Sequence, residues 1–369
     1  MSSNVPFTLR RPWLLTRELL ATRANPDVAP LQAITDPETF VWRILPHAAR
    51  TFAACITLLP AEFARAAAVG YLYCRILDTY EDLIPDPPAR EAALARFGQR
   101  FAASPGAMPE AAPALAWDLA RDHRDRTHVL LVDRCRLLDE VFLTLAPPVR
   151  RHIAELVAAM AEGMIWSSRA FSAQGGVLLD AAQLSRYCRN VIGLPFLFSV
   201  RLLVEQRMGG GTQVPEALRE DCLAAGEMVQ LANVTRDIEK DLRRGVAYHP
   251  ALAGDLGRDA TADPALAARV RAVREELLLR ALRLAPAYER MMRALPFPAV
   301  SLARASGVLM LEFTDRYYRA CARRVGRTPW TGPDTTVALL LRGFGHTLSR
   351  PWSKRTVRSV TERMVEFAG

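Results

Sequence analysis

The chain has 369 residues, with 48 Lys+Arg against 39 Asp+Glu and a formal net charge of +9. Half of its residues are hydrophobic and 24% are charged, which excludes disordered, collagen-like and low-complexity polymers and leaves a globular protein with a large core. The mild positive excess suits nucleic acid, an anionic membrane surface or polyanionic small substrates, and does not choose among them.

The first ten residues, MSSNVPFTLR, lack an apolar core and a cleavage site, so no signal peptide is expected. From there on Ala, Leu and Arg dominate, and period-two runs of β-branched and aromatic residues are almost absent, predicting an all-α protein. Helix breaks are expected at Pro46, Pro60, the IPDPP segment from Ile84 to Pro88, Pro147-Pro148, the glycines Gly209 to Gly211, Pro250, Pro286, Pro296 to Pro298 and Pro329 to Pro333. No break is long or polar enough for a flexible linker, so residues 1–369 are read as a single all-helical domain of ten to a dozen helices. Its core stretches are Phe52 to Ile76, Ser185 to Val204, Ala224 to Ala232 and Phe297 to Leu311. The apolar run Val191 to Val200 falls short of the roughly 20 residues that span a bilayer, so no transmembrane helix is expected. The six cysteines are far apart with no C-x-x-C pair, which predicts reduced thiols and a cytoplasmic address.

Two stretches carry chemistry. YLYCRILDTYED sets Tyr71, Arg75, Asp78 and Asp82 at i, i+4, i+7 and i+11, one stripe about 60° wide on a helix. QLANVTRDIEKD repeats the pattern with Gln230, Asn233, Asp237 and Asp241. A lone D-x-x-x-D pair is usually a solvated face, but here both pairs continue apolar helices beside side chains that bind phosphate or metal-bound water. Like charges at i, i+4 destabilise a helix, and burying them unpartnered costs far more, so something positive must meet them. Inward carboxylates suit Mg²⁺, which keeps its waters and bridges to substrate phosphates. No G-x-x-x-x-G-K-[ST] loop is present to cradle a phosphate instead.

These residues resemble the squalene and phytoene synthases, the head-to-head branch of the trans-isoprenyl diphosphate synthases. The resemblance rests on HAARTFAACITLLP before YLYCRILDTYED, on LSRYCRNVIGLP and on QLANVTRDIEKDLRRG, in the family's order, over about residues 40–325. The D-T-x-E-D form leans towards squalene synthase. The resemblance implies an isoprenoid synthase bundle with a central cavity, facing aspartate motifs and three Mg²⁺ ions. It implies Asp78, Asp82, Asn233, Asp237 and Asp241 as metal positions, and Arg50, Phe52, Tyr71, Arg75, Gly193, Gln230, Arg236, Arg243 and Arg244 as substrate positions. It implies head-to-head condensation of two farnesyl diphosphates to presqualene diphosphate, then reduction by NADPH to squalene. The alternative is a non-reducing enzyme making dehydrosqualene, presqualene diphosphate or phytoene. The family's G-R-x-x-x-P is GVAYHP here, with Val246 in place of the Arg, so Arg243 or Arg244 would have to serve.

Tyr187 is the candidate for handling the proton, with Tyr71 as runner-up, and Arg75 is a further catalytic candidate. Phe52, Phe196 and Phe198 are candidates to shield a carbocation, although aromatics at helical spacing are more often core. Arg323, Arg324 and Arg327 are candidates for the NADPH phosphate, against the simpler reading of a solvated basic face. The scattered basic residues argue against nucleic acid. A basic helical extension, 335–369, interleaves apolar residues with six positive ones from Leu341 onward against Glu362 and Glu366. That composition predicts peripheral contact with the inner face of a membrane through two short helices divided at Pro351.

Overall fold

The structure, a computed structural model, describes residues 11–15, 27–49, 51–101, 107–208, 211 and 213–369. Among them there is no strand, only an isolated parallel bridge between Val177 and Ala247, and the expected all-α class holds. The chain divides into two compact units, Met1–Ile165 and Trp166–Gly369. Cys55, Cys74, Cys135, Cys188, Cys222 and Cys321 are all buried, and none forms a disulfide among the described residues.

The first unit contains α1 (Pro37–Ala49), α2 (Thr51–Leu58), α3 (Ala61–Leu83), α4 (Pro87–Gln99), α5 (His123–Asp133) and α6 (Cys135–Leu143). The predicted stretch Phe52 to Ile76 is cut at Pro60, which takes the N-cap of α3 because it cannot donate within a helix. Leu72, Tyr73, Ile76, Leu77 and Tyr80 of α3 are fully buried, and α1, α2, α4, α5 and α6 pack around it. Behind that core, Arg100 donates to both oxygens of Asp139 at 2.8 and 2.7 Å, while the Tyr73 hydroxyl donates to the same carboxylate at 2.7 Å. Arg100 also donates to the Glu110 carbonyl, tying down the segment after α4. α5 and α6 part at Arg134, a break that neither Pro nor Gly announces.

The unit boundary falls within α7 (Pro147–Ala173). The second unit then runs through α8 (Ala181–Cys188), a π turn (Arg189–Gly193), α9 (Leu194–Met208), α10 (Glu216–Arg243), α11 (Pro264–Leu282), α12 (Ala285–Ala294), α13 (Leu302–Arg324), α14 (Thr336–Leu348) and α15 (Arg350–Ala368). Side chains of Asp180, Asp263, Ser301, Thr335 and Ser349 cap five of these helices. α10 is central, packed by α8, α9, α11, α12 and α13. The π turn has a cause in Pro195, which lacks an N–H for the Val191 carbonyl and would crowd it in a regular α-helix.

The helix is longer than the apolar run Val191 to Val200: it extends over Ala181–Met208, 28 residues, enough by length and composition alone to cross a membrane. In this structure 61% of its apolar window is buried inside the protein. Part of that burial is a close helix crossing, where a Cβ on Gly226 of α10 would collide with the Gly193 backbone. Gly226→Ala is accordingly expected to lower stability by about 1–3 kcal/mol, read by chemical denaturation, because neither backbone can retreat in a packed core. Wild-type stability in that variant would show that the crossing can open.

Candidate active site

The first aspartate stripe is a chain of contacts. Phe52 of α2 stacks on Tyr71 of α3 with ring centroids 5.5 Å apart, and Arg75 donates to the Tyr71 hydroxyl at 2.9 Å. Arg75 also meets Asp78 at 3.0 Å, so the positive partner that the carboxylates require comes from their own helix one turn back. Burial pushes the Asp78 carboxyl up to about 6, Arg75 pulls the other way, and the neighbouring Asp82 adds to the rise. Asp82 is exposed at the next turn. Nε of Arg75 is buried and has no acceptor among the described residues. A buried guanidinium N–H without a partner costs free energy that an incoming anion would recover. Arg50 lies outside the described residues.

The second stripe lies on α10. Asn233 donates to the Gln230 side chain at 2.9 Å, and Arg236 grips Asp237 through two hydrogen bonds of 2.7 and 2.6 Å while lying over the Tyr317 ring. Arg244 is 3.9 Å from Asp241, whereas Arg243 turns to the exposed Asp259 at 3.7 Å. Of the two substitutes for the absent arginine, Arg244 is the one beside a stripe carboxylate. Val246 lines a small cavity together with Ile238, Asp241, Leu242 and Tyr248.

Tyr187 is buried, and its hydroxyl is 3.2 Å from that of Tyr248, with Phe171 edge-on to both rings. Tyr248 is not among the candidates that the sequence offers, although it stands inside GVAYHP, the segment with Val246 in place of the family arginine. Phe196 packs on Tyr288 and Phe198 is buried. Gly193 sits at the crossing with α10. The basic run is partly engaged elsewhere: Arg327 pairs with Glu275 at 2.8 Å and lies over Phe367, and Arg323 is 3.9 Å from Asp334.

The stripes offer only oxygen donors, which suits Mg²⁺. Among the described residues no group of three His, Cys, Asp or Glu stands ready to hold an ion. A Mg²⁺ ion at either carboxylate pair would thus complete its shell with water and ligand oxygens, as that ion ordinarily does.

A family model described as squalene/phytoene synthase matches residues 45–334. A squalene synthase of Botryococcus braunii is 28% identical over 206 residues, which are 55% of this chain and 40% of the relative's own length. The phytoene synthase of Rhodobacter capsulatus is 26% identical over 251 residues, 67% of this chain and 63% of that protein. This chain thus spans well under half of the Botryococcus protein. The solved structure described as "The complex structure of TcSQS with ligand, E5700" superposes with a TM-score of 0.64 at 19% identity, covering 89% of this chain and 91% of that one. A dehydrosqualene synthase in complex with ligand gives 0.50 at 15% identity over 91% of this chain and 98% of that one. At such identities the structural likeness speaks for the fold alone.

Proposed function

Because the chain belongs to the squalene/phytoene synthase family, we propose that it joins two farnesyl diphosphates head to head into presqualene diphosphate and, with NADPH, reduces that product to squalene. The observation that carries the reading is the buried, acceptorless Nε of Arg75 beside Tyr71 and Asp78, a seat for an anion on an otherwise apolar helix. Arg75 and Tyr71 would bind the diphosphate of the ionising substrate, and Arg244 would take the place of the arginine absent at Val246. Asp78, Asp82, Asp237 and Asp241, with Asn233, would hold Mg²⁺, which supplies Lewis-acid neutralisation of the leaving diphosphate. Asp237 is neutralised by Arg236, which would yield that carboxylate on loading and turn to the diphosphate.

As the C1–O bond of one substrate breaks, the double bond of the second attacks C1 and a proton leaves as the cyclopropane closes. Tyr187 would relay that proton to the released diphosphate, its hydroxyl oxygen accepting the substrate proton as its own proton leaves for a diphosphate oxygen, with the Tyr248 hydroxyl 3.2 Å away to hold the phenol in place. Phe52 lies against Tyr71 where its ring face could shield the cation. Arg323, Arg324 and Arg327 would be the candidates for the dinucleotide phosphate, with Arg327 and Arg323 giving up their partly exposed partners Glu275 and Asp334. The reductive half rests on the D-T-x-E-D form together with this basic stretch.

A second reading is favoured by the broader coverage of the Rhodobacter capsulatus phytoene synthase: a non-reducing enzyme that takes farnesyl or geranylgeranyl diphosphate to dehydrosqualene or phytoene. Incubation with each diphosphate and Mg²⁺, with and without NADPH, followed by identification of the extracted product, separates the two. Squalene with NADPH and presqualene diphosphate without it is the expected result. The same products in both arms would replace it with the non-reducing reading.

A further inference from the structure

We propose that the outer face of α14 is a docking surface for an anionic phospholipid membrane. Val337, Leu341, Phe344 and Leu348 recur at i, i+4, i+7 and i+11, within about 60° of arc. They are 53%, 67%, 43% and 74% exposed, while Leu339, Leu340, Gly343 and His346 on the other side of the helix are buried. Val300, 61% exposed, adjoins the stripe, since the Ser301 N–H donates to the Thr347 carbonyl at 3.0 Å. Apolar side chains scattered singly over a surface are ordinary, but a continuous stripe on one helix marks an interaction site.

The charge around the stripe names the partner. From Thr335 to Thr361 there is no acidic residue, and the basic ones are Arg342, Arg350, Lys354, Arg355 and Arg358. Arg342 is tied to Glu312 and Arg358 to Glu362, whereas Arg350, Lys354 and Arg355 are exposed and make no ion pair among the described residues. An anionic bilayer offers both an apolar phase for four large side chains and a negative surface potential for the exposed cations that follow them in the chain. A second copy of the chain offers the apolar face but sets positive charge against positive charge across a two-fold axis.

The geometry also moves the apolar part of the contact from α15 to α14. The predicted break at Pro351 is present, but Val357, Val360 and Met364 of α15 are buried against the second unit's own core, and Trp330 packs edge-on to Phe367. Removing α15 would expose that core, so a truncation cannot test the idea and substitutions on α14 can. The proposal does not rest on the reaction assigned above.

The test is co-sedimentation of the full chain with vesicles of phosphatidylcholine alone and of phosphatidylcholine with phosphatidylglycerol, at low and high salt. The expected result is binding to the anionic vesicles that weakens with salt. The double variant Leu341→Gln, Leu348→Gln should keep its circular dichroism and bind about tenfold less. The variant Arg350→Gln, Lys354→Gln should lose a similar factor at low salt only. Negligible sedimentation with both vesicles, or undiminished binding by the Leu341→Gln, Leu348→Gln variant, would overturn the proposal. So would sedimentation velocity without lipid that shows a dimer abolished by those glutamines, which would assign the stripe to a second copy.

Discussion

Asp78→Asn and Asp237→Asn should each lower turnover on the order of 10²- to 10⁴-fold, because each deletes one of two carboxylates proposed to hold the cation that neutralises the leaving diphosphate. The fold should survive, since Asp78 is only partly buried and Arg75 keeps its bond to Tyr71. Asp78 also carries a pH dependence. Its carboxyl is raised by burial to about 6, so between about 4 and 6 the folded chain binds more protons than the unfolded one. Without metal, wild-type stability should therefore fall as pH rises through that window, and Asp78→Asn should lose that part of the slope. Thermal melts in chelator across pH 4 to 7, set beside turnover with Mg²⁺, read both effects. Full activity of either variant, or of the wild type in excess chelator, would remove the carboxylates from the metal role.

Arg100→Met should be among the most damaging substitutions in the first unit, lowering stability by about 3–5 kcal/mol. Arg100 and Asp139 are 1% and 3% exposed in their side chains, and burial already raises the Asp139 carboxyl despite hydrogen bonds from Arg100 and Tyr73. Without the guanidinium that carboxylate must take up a proton or remain charged in an apolar setting, and the Glu110 carbonyl also loses its donor. The double variant Arg100→Met, Asp139→Leu should recover part of the loss, since removing both partners leaves fewer unsatisfied groups than removing one. Urea denaturation of the two single variants and the double gives the coupling directly. A loss below about 1 kcal/mol in Arg100→Met would mean that water reaches Asp139 and replaces the arginine.

Helix content, the turn at Pro60, the break at Pro351 and both aspartate stripes were legible in the sequence, because 3.6-residue periodicity and the missing N–H of proline act through a few neighbouring residues. The same locality put Tyr71, Arg75 and Asp78 on one face before any packing was known. Partners that lie far apart along the chain were beyond such reading. Tyr248 meets Tyr187 across 61 residues, Arg100 reaches Asp139 across 39, and the Gly193 and Gly226 backbones touch only because two helices cross. The arginines illustrate the same limit. Arg243 and Arg244 are equivalent in the sequence, and only the fold turns one towards Asp241 and the other towards Asp259. The C-terminal extension divides in the same way: its composition is basic and apolar throughout, yet tertiary packing buries the apolar face of α15 and leaves one of the two apolar sides of α14 in water. Sequence periodicity determines that a helix has an apolar face, but which faces are covered depends on the neighbours that long-range packing brings against them.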